Sequence, residues 1–407
     1  MGDALRIALI CTERLPVPPI RGGAIQVLIE GVLPHLSQKH QVTVYSARDP
    51  DLKSRERSGR VEFIRLNGSD YAGRVRKALA EARARGDAYD VVHVFNRPAD
   101  LPLYKAAMPE SRFVLSLHNE MFHKRKISFA GGREAIRCAE RIMTISDYIG
   151  RTVLARFPEA REKLTTVYSG VDLSAYRPVW DEEAQDIRRR LRQKNGVENK
   201  KVVLFAGRLS RVKGPDILIR AMEKVAKDWP EAVLLIVGGN RITRKLTDEY
   251  SRELRAMAKK LDDRVVFTGF VPPRKMPRVY LAGDVFVCSS QWMEPLARVH
   301  YEAMGAGLPV ITTNRGGNGE IVRHGETGLL VDDYDNPRAF ARAISRLFAD
   351  PAEAERLARA GRALMERNHG FEHVSARLER VYLEALRRRA SAAAAGTAAP
   401  AAAGGGR

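Results

Sequence analysis

Short runs of Val, Ile and Leu alternate with helical stretches along most of this chain, and they do so in two separate series. The first series reads "RIALIC" (6–11), "QVTVYS" (41–46), "VEFIRL" (61–66), "DVVHVF" (90–95), "RFVLSL" (112–117) and "RIMTI" (141–145). The second reads "KVVLFAG" (201–207), "AVLLIVGG" (232–239), "RVVFTGF" (264–270), "DVFVCSS" (284–290), "LPVITT" (308–313) and "GLLV" (328–331). Apolar runs with little polar alternation fit strands covered on both faces. Helical patterns fall between them, at about 24–38, 71–86, 215–228, 244–261, 274–282 and 296–306. Strand–helix alternation requires parallel sheets closed by right-handed crossovers. Two series therefore predict an α/β chain of two doubly wound, Rossmann-like domains side by side.

The break falls where "LSAYRPVW" is followed by the charged stretch "DEEAQDIRRRLRQKNGVENKK". The expected division is a first domain over 1–173, a linker over 174–199 and a second domain over 200–368. Two helices follow "GLLV", at about 336–349 and 352–367. A last amphipathic helix over 371–389 carries Phe371, Val374, Leu378, Val381, Tyr382 and Leu386 on one stripe. The tail 390–407 is Ala/Gly-rich without large apolar residues and is expected to be disordered.

With 407 residues, 44% hydrophobic and 29% charged, the chain is long enough for two cores. No apolar stretch reaches the ~20 residues of a membrane helix. Three scattered cysteines fit a reducing, cytoplasmic setting, and Cys288 reads as a small core residue. The net charge of +20 favours anionic partners. It is spread along the whole chain with no recognition module, so no nucleic-acid partner is expected. The basic run His123 to Lys126 is a solvated loop in the plain reading. In the functional reading it meets an anionic acceptor, such as a lipid phosphate at an anionic membrane surface or an acidic glycan.

Ligands of open α/β sheets bind at the carboxyl ends of the strands. After the first strand, Gly22 and Gly23 open a helix and let backbone approach a ligand closely. After the first strand of the second series, Arg208 and Lys213 flank a short loop, and Pro215 starts a helix. Two cations there would clamp a diphosphate, or would be ordinary surface charges. After "DVFVCSS", Glu294 precedes a helix expected to begin at Pro295. A helix cap is the plain reading of Glu294. Glu302 lies beside the apolar stripe of Leu296, Val299, Ala303 and Met304, where a carboxylate needs a partner. Arg298, at i,i+4, would pair with it, or a pair of sugar hydroxyls would. Backbone N–H groups near Ala297 and Arg298 would receive phosphate oxygens. One ligand answers these features together: a nucleotide diphosphate sugar, with ribose at Glu302, diphosphate at Arg208 and Lys213, and hexose at Glu294.

"RGG" at 21–23, "GRLSRVKG" at 207–214, Glu294 with Glu302 eight residues on, and "AMGAGLPVI" at 303–311, taken together and in this order, resemble the retaining glycosyltransferases of family 4. "LPVPPIRGGAIQ", "NRP", "LHNEMF", "SDYIG", "VYSGVDL" and "SSQWMEPLARVHYEAMGAGLPVIT" further resemble the branch of that family typified by spore coat protein SA. The resemblance spans the first strand to about residue 390. It implies the GT-B architecture, two facing Rossmann-like domains with an interdomain cleft, and a last helix that crosses back to the first domain. It also implies roles at matching positions. Glu302 would bind ribose, Arg208 and Lys213 the diphosphate, and Glu294 the hexose. His118 would reach the donor sugar or the departing phosphate, Gly22 and Gly23 would back the phosphate, and Gly269 and Phe270 would lie near the base. The family often reads "EGFGL" where this chain has "EPLAR". Ala297 then narrows the space beside the phosphate, and Arg298 adds a charge to the donor site or pairs with Glu302.

The expected activity is retaining transfer of a hexose from a nucleotide sugar, UDP-linked in first preference, to a glycan, lipid or protein-linked acceptor in cell-envelope or spore-coat polysaccharide synthesis. No cofactor and no metal ion are expected, because Arg208 and Lys213 would neutralise the leaving diphosphate. The acids of "DPD" at 49–51 imitate a metal-binding pair but read better as a turn. The alternatives are a non-catalytic scaffold on the same frame and a nucleotide-sugar epimerase.

Overall fold

The computed structural model describes residues 4–239 and 248–396, with side chains through residue 387. Eight strands form the first sheet: β1 (Arg6–Ile10), β2 (Gln41–Ala47), β3 (Arg55–Ser58), β4 (Val61–Leu66), β5 (Val91–Phe95), β6 (Arg112–Leu117), β7 (Arg141–Thr144) and β8 (Leu164–Thr166). Their order is β3-β4-β2-β1-β5-β6-β7-β8, parallel except for β3 against β4. Six strands form the second: β9 (Lys201–Ala206), β10 (Ala232–Val237), β11 (Val265–Gly269), β12 (Val285–Cys288), β13 (Val310–Thr313) and β14 (Leu329–Val331). Their order is β11-β10-β9-β12-β13-β14, all parallel. Every apolar run picked out in the sequence is a strand of one of these sheets. β3 and β8 were not anticipated: "RERS" is wholly exposed and charged, as suits an edge strand, and β8 has three residues.

Each sheet reverses its direction of growth at its first strand. β1 pairs with β2 on one side and β5 on the other, and β9 pairs with β10 and β12. Such switch points open a crevice between the loops that leave the two central strands. The loops after β1, β5 and β6 and the loops after β9, β12 and β13 belong to these crevices.

The helix Phe371–Gly396 returns to the first sheet. Its Phe371, Val374, Leu378, Val381 and Tyr382 are buried with Leu28, Ile29 and Val32 of the helix Ala24–Leu36. The buried His93 fixes it further, with one ring nitrogen 2.8 Å from the Tyr382 hydroxyl and the other 2.6 Å from Ser116 Oγ. The chain thus passes between lobes twice, at Val171 and at Gly370. The two passages lie side by side, with the Val171 N–H donating to the His369 carbonyl at 2.9 Å.

Several expectations are corrected in detail. The charged stretch 174–199 contains the helix Glu182–Lys194, whose Arg188 and Arg192 grip Asp284 of the second lobe at 2.5 and 2.6 Å. The helix expected from Pro295 begins at Arg298, because Ala297 is extended and the residues before it are tied to other segments by contacts described below. The stretch 274–282 is a single turn, Pro273–Lys275, followed by the helix Met276–Tyr280. Residues 244–247 of the expected helix 244–261 lie outside the described residues; its remainder includes the helix Glu249–Ala258. The last helix continues past 389 to Gly396, since its alanines are the strongest helix formers; 397–407 lie outside the described residues. Among the described residues no helix is long and apolar enough to cross a membrane. All three cysteines are free and buried.

Candidate active site

β9 ends at Ala206, and the chain turns through Arg208 to Lys213. Gly214, at φ 63°, releases it into the helix Pro215–Asp228. That turn carries Lys213 to the end of β12, where Glu294 stands. Lys213 Nζ lies 2.5 Å from Glu294 Oε2. The same oxygen accepts Ser290 Oγ–H at 2.8 Å and the Trp292 indole N–H at 2.7 Å. Among the described residues Oε1 receives no hydrogen bond. Glu294 is only 6% exposed. Burial would push its carboxyl pKa up, but the Lys213 charge and the three donors outweigh burial and hold it below the usual value. The result is an ionised carboxylate fixed through one oxygen.

Glu302 and Arg298 form a second cluster on the helix Arg298–Gly305. The buried Tyr280 hydroxyl donates to Glu302 Oε2 at 2.7 Å. Arg298 Nε lies 3.5 Å from Glu302 Oε1, an ion pair without a hydrogen bond. The other end of Arg298 crosses to the chain passage between lobes, where Nη1 donates to Ser169 Oγ at 2.9 Å and to the Gly170 carbonyl at 3.1 Å. Both readings of Glu302 therefore start from a carboxylate that already has protein partners. Leu296 and Ala297 have buried side chains, so what they offer a ligand is backbone.

On the first lobe, His118 follows β6. Its backbone N–H donates to Asn96 Oδ1 at 2.7 Å, and its ring lies against Phe95, centroids 5.8 Å apart. Burial, and secondarily the Arg298 charge across the interface, pull its pKa down to about 4, so the imidazole is neutral at pH 7. Asn96 adopts φ 56°, a left-handed conformation uncommon outside glycine. Gly23, at φ 107°, caps the helix Ala24–Leu36. Its positive φ strains any residue with a side chain, and a Cβ there would also fall 2.8 Å from Leu15 Cδ1 and displace the Gln26 amide. A Cβ on Gly22 would lie 3.8 Å from Pro273 of the opposite lobe.

The two lobes meet through these loops. Ser146, after β7, donates its hydroxyl to the Pro295 carbonyl at 2.6 Å. The Gly317 N–H, after β13, donates to the Glu294 carbonyl at 2.8 Å. These contacts claim the carbonyls of Glu294 and Pro295, and the helix starts only after the extended Ala297. A Cβ on Gly316 would come within 2.0 Å of the Glu294 carbonyl oxygen, so the loop after β13 packs directly on the Glu294 backbone.

The remaining expected residues are less engaged. Arg208 is exposed at the end of β9 and makes no hydrogen bond or ion pair among the described residues. Gly269, at φ 73°, ends β11, and Phe270 beside it is 37% exposed. Asp49 and Asp51 both bind Arg21, with Arg21 Nε to Asp49 Oδ2 at 2.9 Å, so the "DPD" acids brace the Gly22–Gly23 loop. His123 to Lys126 are all exposed. A cavity of about 240 Å³ lies elsewhere, between Trp180, Arg188, Gly307 and Ala358, and contains none of the expected site residues. Residues the sequence reading missed are Asn96, Ser146, Tyr280, Ser290 and Trp292. Asn96, Ser146 and Ser290 carried a signal as polar residues at strand ends, and Trp292 as an indole beside an expected site acid; Tyr280 carried none.

Comparisons with known proteins bear on the same regions. Residues 187–364 match the family described as Glycosyl transferases group 1, and residues 22–175 match Glycosyltransferase Family 4. The chain is 47% identical over 382 residues to "Putative glycosyltransferase YtcC" of Bacillus subtilis, covering 94% of this chain and 93% of that one. It is 45% identical over 378 residues to "Spore coat protein SA" of the same organism, covering 93% and 99%. A "GDP-mannose-dependent alpha-(1-6)-phosphatidylinositol monomannoside mannosyltransferase" of Mycolicibacterium smegmatis is 30% identical over 386 residues, covering 89% and 94%. Among solved structures, Anabaena Alr3699/HepE in complex with UDP-glucose superposes with a TM-score of 0.73 at 21% identity, covering 95% of this chain and all of that one. That last likeness concerns the fold alone, the two-lobed GT-B arrangement.

Proposed function

The chain belongs to the glycosyltransferases of group 1 and family 4, and from that premise we propose that it moves a hexose from a nucleotide diphosphate sugar to a glycan, lipid or protein-linked acceptor with retention at the anomeric carbon. The observation that carries the proposal is the pair of half-buried Lys213 and buried Glu294 at the switch point between β9 and β12. A cation and a fixed carboxylate there suit the two ends of a sugar diphosphate. Glu294 Oε1 would accept hexose hydroxyls while Oε2 stays locked. Arg208 and Lys213 would hold the diphosphate, with backbone N–H groups at Ala297 and Arg298 and the Gly22–Gly23 loop around it. Glu302, set by Tyr280, would take the ribose, and Gly269 and Phe270 would border the base.

The proposed step is a front-face displacement. The bond from the anomeric carbon to the diphosphate oxygen breaks, and a bond to the acceptor oxygen forms on the same face. The acceptor proton passes to the departing phosphate oxygen. Positive charge from Arg208 and Lys213, rather than a metal ion, would stabilise the leaving group. His118, neutral at pH 7, would donate or accept a hydrogen bond at the sugar rather than carry charge. Lobe contact at Ser146–Pro295 and Arg298–Gly170 would exclude water.

A UDP-linked donor is proposed first, and GDP-mannose, from the name of the mycobacterial relative, is its main competitor. A cytoplasmic place in coat or envelope polysaccharide synthesis is part of the proposal; the name of the 45% identical relative supports the coat, and the exposed run 123–126 supports contact with an anionic acceptor or surface. The test is a thermal-shift screen of UDP-, GDP- and ADP-sugars followed by donor hydrolysis assays. A ligand at 100 times its Kd should stabilise by ~2.7 kcal/mol. Turnover abolished by Glu294→Ala and by Lys213→Ala supports the proposal. Binding without turnover in the unaltered protein would indicate a scaffold, and isomerised free nucleotide sugar would indicate an epimerase.

A further inference from the structure

Most cations at the inner strand ends are already neutralised. Lys213 has Glu294, Arg21 has Asp49 and Asp51, Arg97 has Glu13, and Arg298 has Glu302. Arg208, assigned above to the diphosphate, is one exception. Arg315 is another. It follows β13, is half-buried, and makes no side-chain hydrogen bond or ion pair among the described residues; its Nε is buried without a partner. A half-buried guanidinium is a strong donor array, and leaving it unpaired costs free energy.

Its position is nonetheless fixed. The guanidinium carbon lies 3.7 Å from the centre of the Tyr334 ring, a stacked cation–π contact. Tyr334 is in turn tied to the site, since its carbonyl accepts Gln291 Nε2–H at 2.7 Å, one residue before Trp292. The residues after Arg315 are anchored by the Gly317–Glu294 hydrogen bond. An arginine preorganised on an aromatic face, with its donors unused among the described residues, is built to receive an oxyanion.

The sheet order says which oxyanion. Strands run β9-β12-β13, so Arg315 lies two strands from Arg208 and Lys213, roughly 10 Å at ordinary strand spacing. Glu294, after β12, stands between them. The donor diphosphate belongs on the β9 side of Glu294. Arg315 is on the other side, in the loop that meets the first lobe: a Cβ on Gly317, two residues on, would lie 2.8 Å from Ser146 Cβ. We propose that Arg315, stacked on Tyr334, anchors an oxyanion on the acceptor substrate, a phosphate or a carboxylate. This rests on the glycosyl-transfer reading for the word acceptor; the anion site itself does not.

The experiment is a calorimetric titration of the full chain, with and without saturating UDP, using three probes: glucose 6-phosphate, methyl β-glucuronide and the neutral methyl β-glucoside. The expected result is that at least one charged probe binds about 10-fold or more tightly than the neutral one, the effect of one charge-assisted contact. The phosphate and carboxylate probes distinguish the two sources. Arg315→Gln should bring the ratio close to one while leaving UDP affinity within about twofold. Arg315→Lys should retain part of the preference, and melting curves confirm that both variants fold. No preference in the unaltered protein, or a preference that survives Arg315→Gln, overturns the proposal. A large loss of UDP affinity in Arg315→Gln also overturns it, by moving Arg315 to the donor. Failure of every nucleotide to bind would instead sink the glycosyl-transfer reading, and the probe ratio without UDP is read independently of it.

Discussion

Glu320 of the second lobe accepts the backbone N–H of Tyr148 in the first lobe, with Oε1 at 2.7 Å. Its other oxygen accepts the N–H of Asp147, also at 2.7 Å, and the Tyr168 hydroxyl at 3.1 Å. These amides are the first of the helix Asp147–Leu154, so a carboxylate from one lobe caps a helix of the other. Ser146, which begins that helix, holds Pro295 beside Glu294. Closure of the lobes and placement of Glu294 are therefore mechanically connected.

Glu320→Ala should loosen this contact. Hydrogen bonds to a charged group contribute ~1.5–3 kcal/mol each. The expected outcome is a larger radius of gyration by X-ray scattering and a donor KM raised by roughly tenfold. Unchanged scattering together with unchanged KM would show that the cap does not govern closure.

Lys213→Met should leave Glu294 buried without its counter-charge. Breaking one side of a buried pair costs ~3–5 kcal/mol, so the melting temperature should fall clearly. Adding Glu294→Gln to Lys213→Met should recover part of that loss. If the double variant melts no higher than the single one, the pair is not the source of the effect.

Tyr280→Phe removes the hydroxyl that orients Glu302. If Glu302 receives ribose, nucleotide affinity should drop by roughly 3–10-fold, as for one lost hydrogen bond to a charge. Calorimetry with UDP measures this directly. An unaltered Kd would detach Glu302 from the nucleotide.

Acidification should destabilise the protein before its carboxylates titrate. Burial is the main cause that pulls His93 down to about 3 and His118, His300 and His369 to about 4. In the unfolded chain each titrates near ~6.5. The unfolded state therefore binds more protons between about 6.5 and 4, and stability falls as pH drops through that window, by up to ~1.4 kcal/mol per pH unit for each histidine. Below the folded values these groups add no further loss, while Glu294, held below its usual pKa, takes over at lower pH. Chemical denaturation from pH 7.5 to 4.5 checks the slope, and a flat profile above pH 5 would contradict it.

The strands were legible because a buried parallel strand needs an uninterrupted apolar run, which survives as a local pattern. Strand ends then pointed to Gly22, Arg208, Lys213 and Glu294 without any knowledge of three-dimensional contacts, and the family resemblance added His118. The start of the helix after Glu294 was misjudged because Pro295 suits a first helical turn locally. Its carbonyl is instead claimed by Ser146, 149 residues away in sequence.

The sequence by itself therefore determined the two sheets, the order of their strands along the chain, and the residues that leave their carboxyl ends, since these follow from short-range periodicity and backbone preference. Which of those residues meet was decided only by tertiary structure. Lys213 finds Glu294 because β9 and β12 are neighbours, Tyr280 finds Glu302, Glu320 finds the amides of Asp147 and Tyr148, and Arg315 stacks on Tyr334. A hydrogen bond or an ion pair depends on distances of a few ångströms between distant segments, and packing of the two lobes is what sets those distances.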